Sequence, residues 1–259
     1  MIYDSFMFRN ELDLLECRLV ELEDVPNLQH VIVEANVTHG GNKPREFVYP
    51  DHRDRFSAWA DRITYIQATN LPTDVDAWSR EHAQREWVWE GLKDAQADDI
   101  VLHGDLDEIP TALAARFVKP KGFVRFRQTL YSFAIDWQHP EPWWGTIAGR
   151  VRDIGKFAEL RSARCWLLPE LPDAGWHFSW LGTAKEAEEK LDAFCHPEVA
   201  DLGWRDRLAE CHQTGRHLDN GRIGTELIPV DVDETYPKWI REGNAPASWY
   251  RPRIDALAL

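Results

Sequence analysis

No apolar run in this 259-residue chain approaches the roughly 20 residues that a bilayer-spanning helix needs. No cationic stretch followed by an apolar core opens it, so no secretory signal is expected. Cysteine is scarce: Cys17, Cys165, Cys195 and Cys211 are the whole set, and none has C-x-x-C or other zinc-like spacing. Cys17 falls in an apolar-periodic helix and reads as a small buried hydrophobe. Reduced thiols in a cytoplasmic protein are the expectation. Positive charge is also short, with 30 Lys and Arg against 44 Asp and Glu and a net charge of −14. A field of that sign repels nucleic acid backbones and anionic membrane surfaces unless a local basic patch overrides it. An anionic substrate would need compensation from a metal ion or from clustered Arg and Lys. Internal repeats and low-complexity linkers are missing, so one domain over residues 1–259 is expected.

What the chain does have is tryptophan, 13 in all. The indole is a large apolar body with one N–H donor, and most of the 13 are expected in the core. Ile2 to Phe8 reads as a buried strand, followed by a helix that Asn10 caps and Asp13 enters. Leu12, Leu15, Leu19 and Leu22 form the apolar stripe of that helix. The β-branched run Val31-Ile32-Val33 ends at Glu34 and completes a βαβ unit, the seed of a parallel sheet. A polar loop runs from Asn36 to Pro44. Arg62 to Gln67 predicts a strand, and Ala77 to Ala95 one long helix apolar at Trp78, Val88, Leu92 and Ala95. The strand Ile100-Val101-Leu102 then runs into HGDLDEIP, where Pro110 is expected to start a helix. Phe123 to Phe133 predicts a strand and Trp143-Trp144-Gly145 a break. Gly175 to Trp180 (GWHFSW) is a short aromatic strand. Thr183 and Glu186 form a capping box for a helix with Ala187, Leu191 and Phe194 on one face. Beyond about Val199 periodicity weakens, giving a less regular C-terminal lobe.

The sharpest chemical feature is Asp105-Leu106-Asp107 directly after an apolar strand. Residues two apart on extended backbone point the same way, so both carboxylates face one point beyond the strand's end. Open α/β sheets bind ligands at that edge. Two hard oxygen ligands there suit Mg²⁺ or Mn²⁺ bridging a diphosphate, although paired Asp residues also cap turns. His177, between Trp176 and Phe178, reads either as a satisfied core histidine or as a further metal ligand. Glu34 ends its strand at the same edge as Asp105, where an acid is either a solvated terminus or a ribose or base contact. Asn36, which opens the neighbouring loop, is a further candidate contact for the nucleotide-sugar. Arg80 and Arg85 lie near the start of the long helix, and Lys43 on the loop. These three are either solvated charges or the cations that offset a diphosphate.

The segments FMFRNELDLLECRLVEL, VIVEAN, the helix bearing Arg80-Glu81-x-x-Gln84-Arg85, GDLDEIP and GWHFSW arrive in one order. Together, from about Ile2 to Phe194, they resemble glycosyltransferase family 17, the family of the bisecting β-1,4-mannosyl-glycoprotein N-acetylglucosaminyltransferase. The resemblance implies a GT-A type, Rossmann-like, mostly parallel sheet flanked by helices, and inverting transfer from a UDP-sugar, typically UDP-GlcNAc. It makes Asp105 and Asp107 the D-x-D metal motif, with Asn10, Glu11 and Glu34 lining the nucleotide side. His177 becomes a metal or diphosphate contact. Residues 1–110 would form the nucleotide-sugar half, and residues 111–259 the acceptor side with the C-terminal lobe. The animal enzymes of this family carry a membrane anchor and a luminal stem. This chain begins almost at its first strand, which points to a bacterial or viral cytoplasmic relative whose acceptor is not carried over from the family.

In the implied reaction the acceptor hydroxyl attacks the anomeric carbon in line, and a carboxylate takes its proton. Glu108, Asp136 and Asp173 are the candidate bases, and spacing does not choose among them. Trp143, Trp144, Trp176 and Trp180 are candidates for sugar stacking or for the core. Two rival readings remain. One is a Mg²⁺-dependent phosphotransferase or phosphatase, which usually wants its nucleophilic Asp on the first strand. The other is a non-catalytic carbohydrate-binding relic of the fold. The acceptor, a glycan or another hydroxyl-bearing molecule, is not named by the sequence.

Overall fold

The computed structural model describes residues 1–163, 168–193, 203–219 and 222–252. The chain opens with strand β1 (Ile2–Phe8), helix α1 (Leu12–Glu21) and strand β2 (Leu28–Ala35). The stripe on α1 holds: Leu15, Leu19 and Leu22 are buried and Leu12 packs against the core. Val31, Ile32 and Val33 are buried on both faces of β2, as inside a parallel sheet. A run of 3-10 turns over Tyr49–Arg62 leads to strand β3 (Ile63–Ala68), helices α2 (Ala77–Glu86) and α3 (Val88–Gly91), and strand β4 (Ile100–Asp105). Then come β5 (Glu108–Pro110), α4 (Ala112–Phe117), β6 (Val124–Ser132), β7 (Trp137–Gln138) and β8 (Trp143–Arg150). Helix α5 (Phe157–Ala163), β9 (Glu170–Leu171), β10 (Gly175–Ser179) and α6 (Ala184–Ala193) follow. The helix Trp204–Thr214, a two-stranded sheet of Arg216–Asp219 with Arg222–Glu226, and the short strand Ile228–Pro229 make up the less regular C-terminal part.

The architecture is mixed α/β, with a mostly parallel central sheet flanked by helices. Its main path runs β3-β2-β1-β4-β8-β6-β7 and ends on Ile228–Pro229. Strands β1 to β4 are mutually parallel, and β8 lies antiparallel between β4 and β6. The chain leaves β1 on one side for β2 and β3 and returns on its other flank as β4. That reversal of strand order falls between β1 and β4, and open α/β sheets take ligands beyond the C-terminal ends of strands at such a point.

Four local expectations are corrected. Helix α1 starts at Leu12 with Glu11, not Asn10, at its cap, and no side chain caps it. Pro110 ends strand β5, paired to Gly175, and Thr111 caps the helix that follows through the Ala114 N–H. Proline tolerates a strand terminus because only its missing donor is lost there. The long helix breaks at Trp87 into α2 and α3, and Trp78 is exposed. The buried face of α2 is polar instead: Arg80, Glu81, Gln84 and Arg85. Trp143-Trp144-Gly145 is no break but the start of β8. The capping box does form, with the Glu186 N–H 3.3 Å from the Thr183 hydroxyl and the Thr183 N–H 2.6 Å from the Glu186 carboxylate. Cys165, Cys195, Phe194 and Val199 lie outside the described residues. Cys17 and Cys211 are buried free thiols. No helix among the described residues is long and apolar enough to cross a membrane.

Burial pushes His30 and His39 below the ordinary histidine value and His212 down to about 4. All three therefore fold in the neutral form. Their contribution is fully present above the unfolded pKa of about 6.5 and is lost as pH falls toward the folded values, because the unfolded chain takes up protons first. Urea unfolding midpoints are expected to decline steadily from pH 7.5 to 5. A flat profile over that window would contradict the buried neutral rings.

Candidate functional site

The site grows from the turn that joins β4 to β5. Asp105 is the last residue of β4 and Glu108 the first of β5. Between them Leu106 is buried in the main core cluster, which anchors the turn with an acid on either side. A single buried arginine fixes the backbone from beneath. Arg18 of α1 donates through Nη1 to the carbonyls of Asp105 (2.9 Å), Leu106 (3.1 Å) and Glu108 (2.9 Å). Its Nε and Nη2 donate to the Asp4 carboxylate of β1 at 2.9 and 2.6 Å. His30 Nδ1 of β2 lies 2.9 Å from the same carboxylate. Burial alone would raise the Asp4 pKa; Arg18 and His30 outweigh it and hold the acid well below the usual range. The carbonyls of a non-repetitive turn have no ladder partners of their own, so this guanidinium takes that role.

Each carboxylate of the D-x-D pair meets cations. Asp105 accepts from Arg85 Nη2 at 2.7 Å on one oxygen and from Arg161 Nη2 at 2.5 Å on the other. Asp107 accepts from Lys190 Nζ at 3.0 Å, and its second oxygen lies 3.5 Å from His177 Nε2. Burial opposes ionisation of Asp107, but Lys190 and His177 hold it below the usual carboxylate range. The two acids also repel each other, the mark of neighbours. His177 faces the site from β10 while its neighbours Trp176 and Phe178 are in the core, the alternation of a strand. Its ring lies 4.7 Å from that of Trp143, and its buried Nδ1 has no hydrogen-bond partner.

Glu108 forms the floor. It is fully buried and accepts from Arg161 Nη1 and Nη2 (both 2.7 Å), from Trp143 Nε1 (2.6 Å) and from the Asp105 N–H (2.8 Å). Against the cost of burial, Arg161 holds it ionised below its ordinary value. A carboxylate with a lowered pKa and this many donors is a poor base, so Glu108 is corrected from base to scaffold. Gly145 is required beside it: a Cβ there would stand 2.2 Å from Gln128 Oε1 and 2.7 Å from Glu108 Cδ.

The other sequence candidates divide. Asn10 and Glu11 follow β1 at the same sheet edge, and Glu11 acts electrostatically on Lys190. Asn36, just past β2, has a buried side-chain oxygen without a hydrogen-bond partner. Lys43 is exposed on the same loop. Arg85 reaches the site through Asp105. Arg80 does not: its guanidinium donates to the carbonyls of His39, Pro72, Thr73 and Val75, which organises two loops. Glu34 is corrected as well. It is neither solvated nor open to a ribose, because it accepts from Arg45, the N–H groups of Val48 and Tyr49, and the Tyr65 hydroxyl. Asp173 is exposed in the turn before β10, where it pairs with Arg127, and no contact among the described residues brings it to the D-x-D turn. Asp136 lies just past β6, which runs parallel to β4 in the sheet, and it accepts from the Arg251 N–H at 2.8 Å. Of the tryptophans, Trp176 and Trp180 are buried, Trp144 pairs with Arg125 and Glu170, and Trp143 meets the His177 ring.

Sequence reasoning missed Arg18, Arg161 and Lys190. A signal existed: Arg18 stands at i+3 from Leu15, on the apolar stripe, and Arg161 and Lys190 at i+4 and i+3 from the buried Phe157 and Ala187. A cation on a buried stripe implies a buried anion.

The donor types suit a hard divalent cation, with carboxylate oxygens at Asp105 and Asp107 and the His177 imidazole beside Asp107. Among the described residues no three acids or histidines converge as they stand. The guanidinium and ammonium groups occupy the carboxylate oxygens that an ion would take.

A model of glycosyltransferase family 17 matches residues 1–229. The β-1,4-mannosyl-glycoprotein 4-β-N-acetylglucosaminyltransferases of Rattus norvegicus and Homo sapiens are each 24% identical to this chain over 233 residues, covering 73% of it and 42% of the relative. The chain thus spans less than half the length of those relatives. The crystal structure of S. aureus TarS 1-349 aligns with a TM-score of 0.40 at 11% identity, over 80% of this chain and 69% of that one.

Proposed function

This chain belongs to glycosyltransferase family 17, and from that premise we propose that it moves a sugar, N-acetylglucosamine or a related hexose, from a UDP-sugar to an acceptor hydroxyl with inversion. The observation that carries the reading is the D-x-D turn at the strand-order reversal, surrounded by Arg85, Arg161 and Lys190. Arg85 and Arg161 also pair with Glu81 and Glu108, so the acids outnumber these cations. A bound divalent cation would supply the positive charge that a diphosphate needs inside an acidic chain. Asp107, His177 and Asp105 are the residues that would hold Mn²⁺ or Mg²⁺, which when bound neutralises charge on the diphosphate leaving group. Lys190 and Arg161 would then turn from carboxylate to phosphate oxygens. Asn36, whose buried side-chain oxygen has no hydrogen-bond partner, would accept from the base. Trp143, held by Glu108 and tilted against the His177 ring, would exclude water beside the anomeric carbon.

Of the three acids weighed as base, Asp136 is retained as the candidate: it follows β6, accepts from the Arg251 N–H and pairs with the Arg251 guanidinium at 3.3 Å, a pairing that transfer would have to break. The phosphotransferase reading loses ground, because the aspartate on the first strand, Asp4, is fully buried against Arg18.

Calorimetry of UDP with and without Mn²⁺ tests the donor site. Wild type is expected to bind UDP at least about tenfold more tightly with the metal, and Asp105→Ala/Asp107→Ala to lose that gain. Asp136→Asn should keep UDP affinity while sugar transfer falls about a hundredfold. Absence of UDP binding under both conditions would sink the assignment.

A further inference from the structure

Helix α4 turns one face to the core and leaves the other without a partner. Ala114, Ala115 and Val118 pack in the cluster that holds Leu22, Leu28, Leu102 and Phe126. On the outer side Leu113 is 70% and Phe117 60% exposed, more than any other exposed large hydrophobic among the described residues. They are four apart on a helix and therefore neighbours on one face. Arg116 sits beside them, its guanidinium 5.4 Å from the Phe117 ring centroid, and exposed Lys119 and Lys121 follow. From Thr111 to Phe123 there is no acidic residue, in a chain that carries 44. The acid that contacts the helix, Glu21, is half-buried and accepts the Ala112 N–H at 3.0 Å. None of Arg116, Lys119 and Lys121 forms an ion pair among the described residues.

We infer that this corner docks peripherally on an anionic lipid surface, with Leu113 and Phe117 entering the interface and Arg116, Lys119 and Lys121 meeting the headgroups. The chemistry is that of interfacial anchors: a small apolar wedge rimmed by cations, each gaining from a negative surface potential. The net charge of −14 does not forbid it, because screening confines each charge's influence to about 8–10 Å. The patch also lies at the opposite end of the sheet from the D-x-D turn. Thr111 N–H bonds Ala174 at the start of β10, whereas Asp105 closes β4, which runs the same way as β6 and β10. Docking there would hold the catalytic edge about 20 Å from the lipid, facing away from it.

Co-sedimentation of the full chain with vesicles of phosphatidylcholine, alone or with about 30 mol% phosphatidylglycerol, at about 50 and 500 mM NaCl decides the matter. Wild type is expected to bind the anionic vesicles at least about fivefold better than the neutral ones, and to be released by the higher salt. Leu113→Gln/Phe117→Gln and Lys119→Gln/Lys121→Gln should each lower binding about fivefold with an unchanged Tm, since every altered side chain is exposed. Equal binding to both vesicles, or none, overturns the inference. So does a dimer in sedimentation velocity that Leu113→Gln/Phe117→Gln dissolves, which would make a second copy the occupant.

Discussion

Arg18→Met is expected to lower the unfolding free energy by about 3–5 kcal/mol in urea at pH 7, because it breaks a fully buried ion pair from one side. The Asp4 carboxylate would remain in the core with only His30 beside it, and the carbonyls of Asp105, Leu106 and Glu108 would lose a shared donor. Asp4 is held below the usual carboxylate range in the fold. Its contribution is therefore present above the unfolded pKa of about 3.9 and is lost as pH falls below it, so the gap between wild type and variant should narrow in acid. A second variant separates stability from positioning. Asp4→Leu/Arg18→Met removes both charges and should regain much of the stability, since apolar replacements of buried pairs often do. It should not regain Mn²⁺-dependent UDP affinity, because the turn still lacks its donor. A loss under about 1 kcal/mol in Arg18→Met would show that the turn does not depend on this clamp.

The same residue shows where sequence reading stopped. Strands β1 to β4 were legible because each is a compact apolar run closed by polar residues, and Asp105 stood out because it follows such a run. Alternation along GWHFSW allowed either fate for His177, and only the pairing of β10 with β5 brings it to Asp107. Glu34 and Arg80 looked like ligands because a polar residue at a ligand-binding edge has the same sequence signature whether it faces a substrate or ties down a loop. Hydrogen-bond partners separate the two cases, and those lie 5 to 41 positions away. Trp143-Trp144-Gly145 read as a break from its composition, whereas the glycine is there so that Gln128 and Glu108 can pass the strand closely. Arg161 and Lys190 are 56 and 83 positions from the acids they meet, beyond any local pattern. Their placement on apolar stripes carried the hint that Arg18 also gave.

Arg161→Met should have an effect of similar size on the site itself. Arg161 bridges the mouth and the floor, donating to Asp105 on one side and to both oxygens of Glu108 on the other. Without it Glu108 stays buried as an acid that has lost both guanidinium donors, so a stability loss of about 3–5 kcal/mol is expected. Asp105 would lose the donor on its second oxygen while keeping Arg85 on the first, and Trp143 would lose the fixed carboxylate that aims its indole. UDP affinity in the presence of Mn²⁺ should fall about tenfold or more, as one of the cations proposed for the diphosphate is gone. Glu108→Gln keeps the shape and removes the charge. In the double variant Arg161→Met/Glu108→Gln, stability should therefore exceed the sum of the single losses by about 1.5–3 kcal/mol, the coupling of two residues in one buried network. UDP affinity should stay low in that double variant, because relieving the buried charge does not restore a phosphate ligand. Additive stabilities would mean that the pair does not act as a unit, and recovered UDP affinity would mean that Arg161 serves the fold and not the donor.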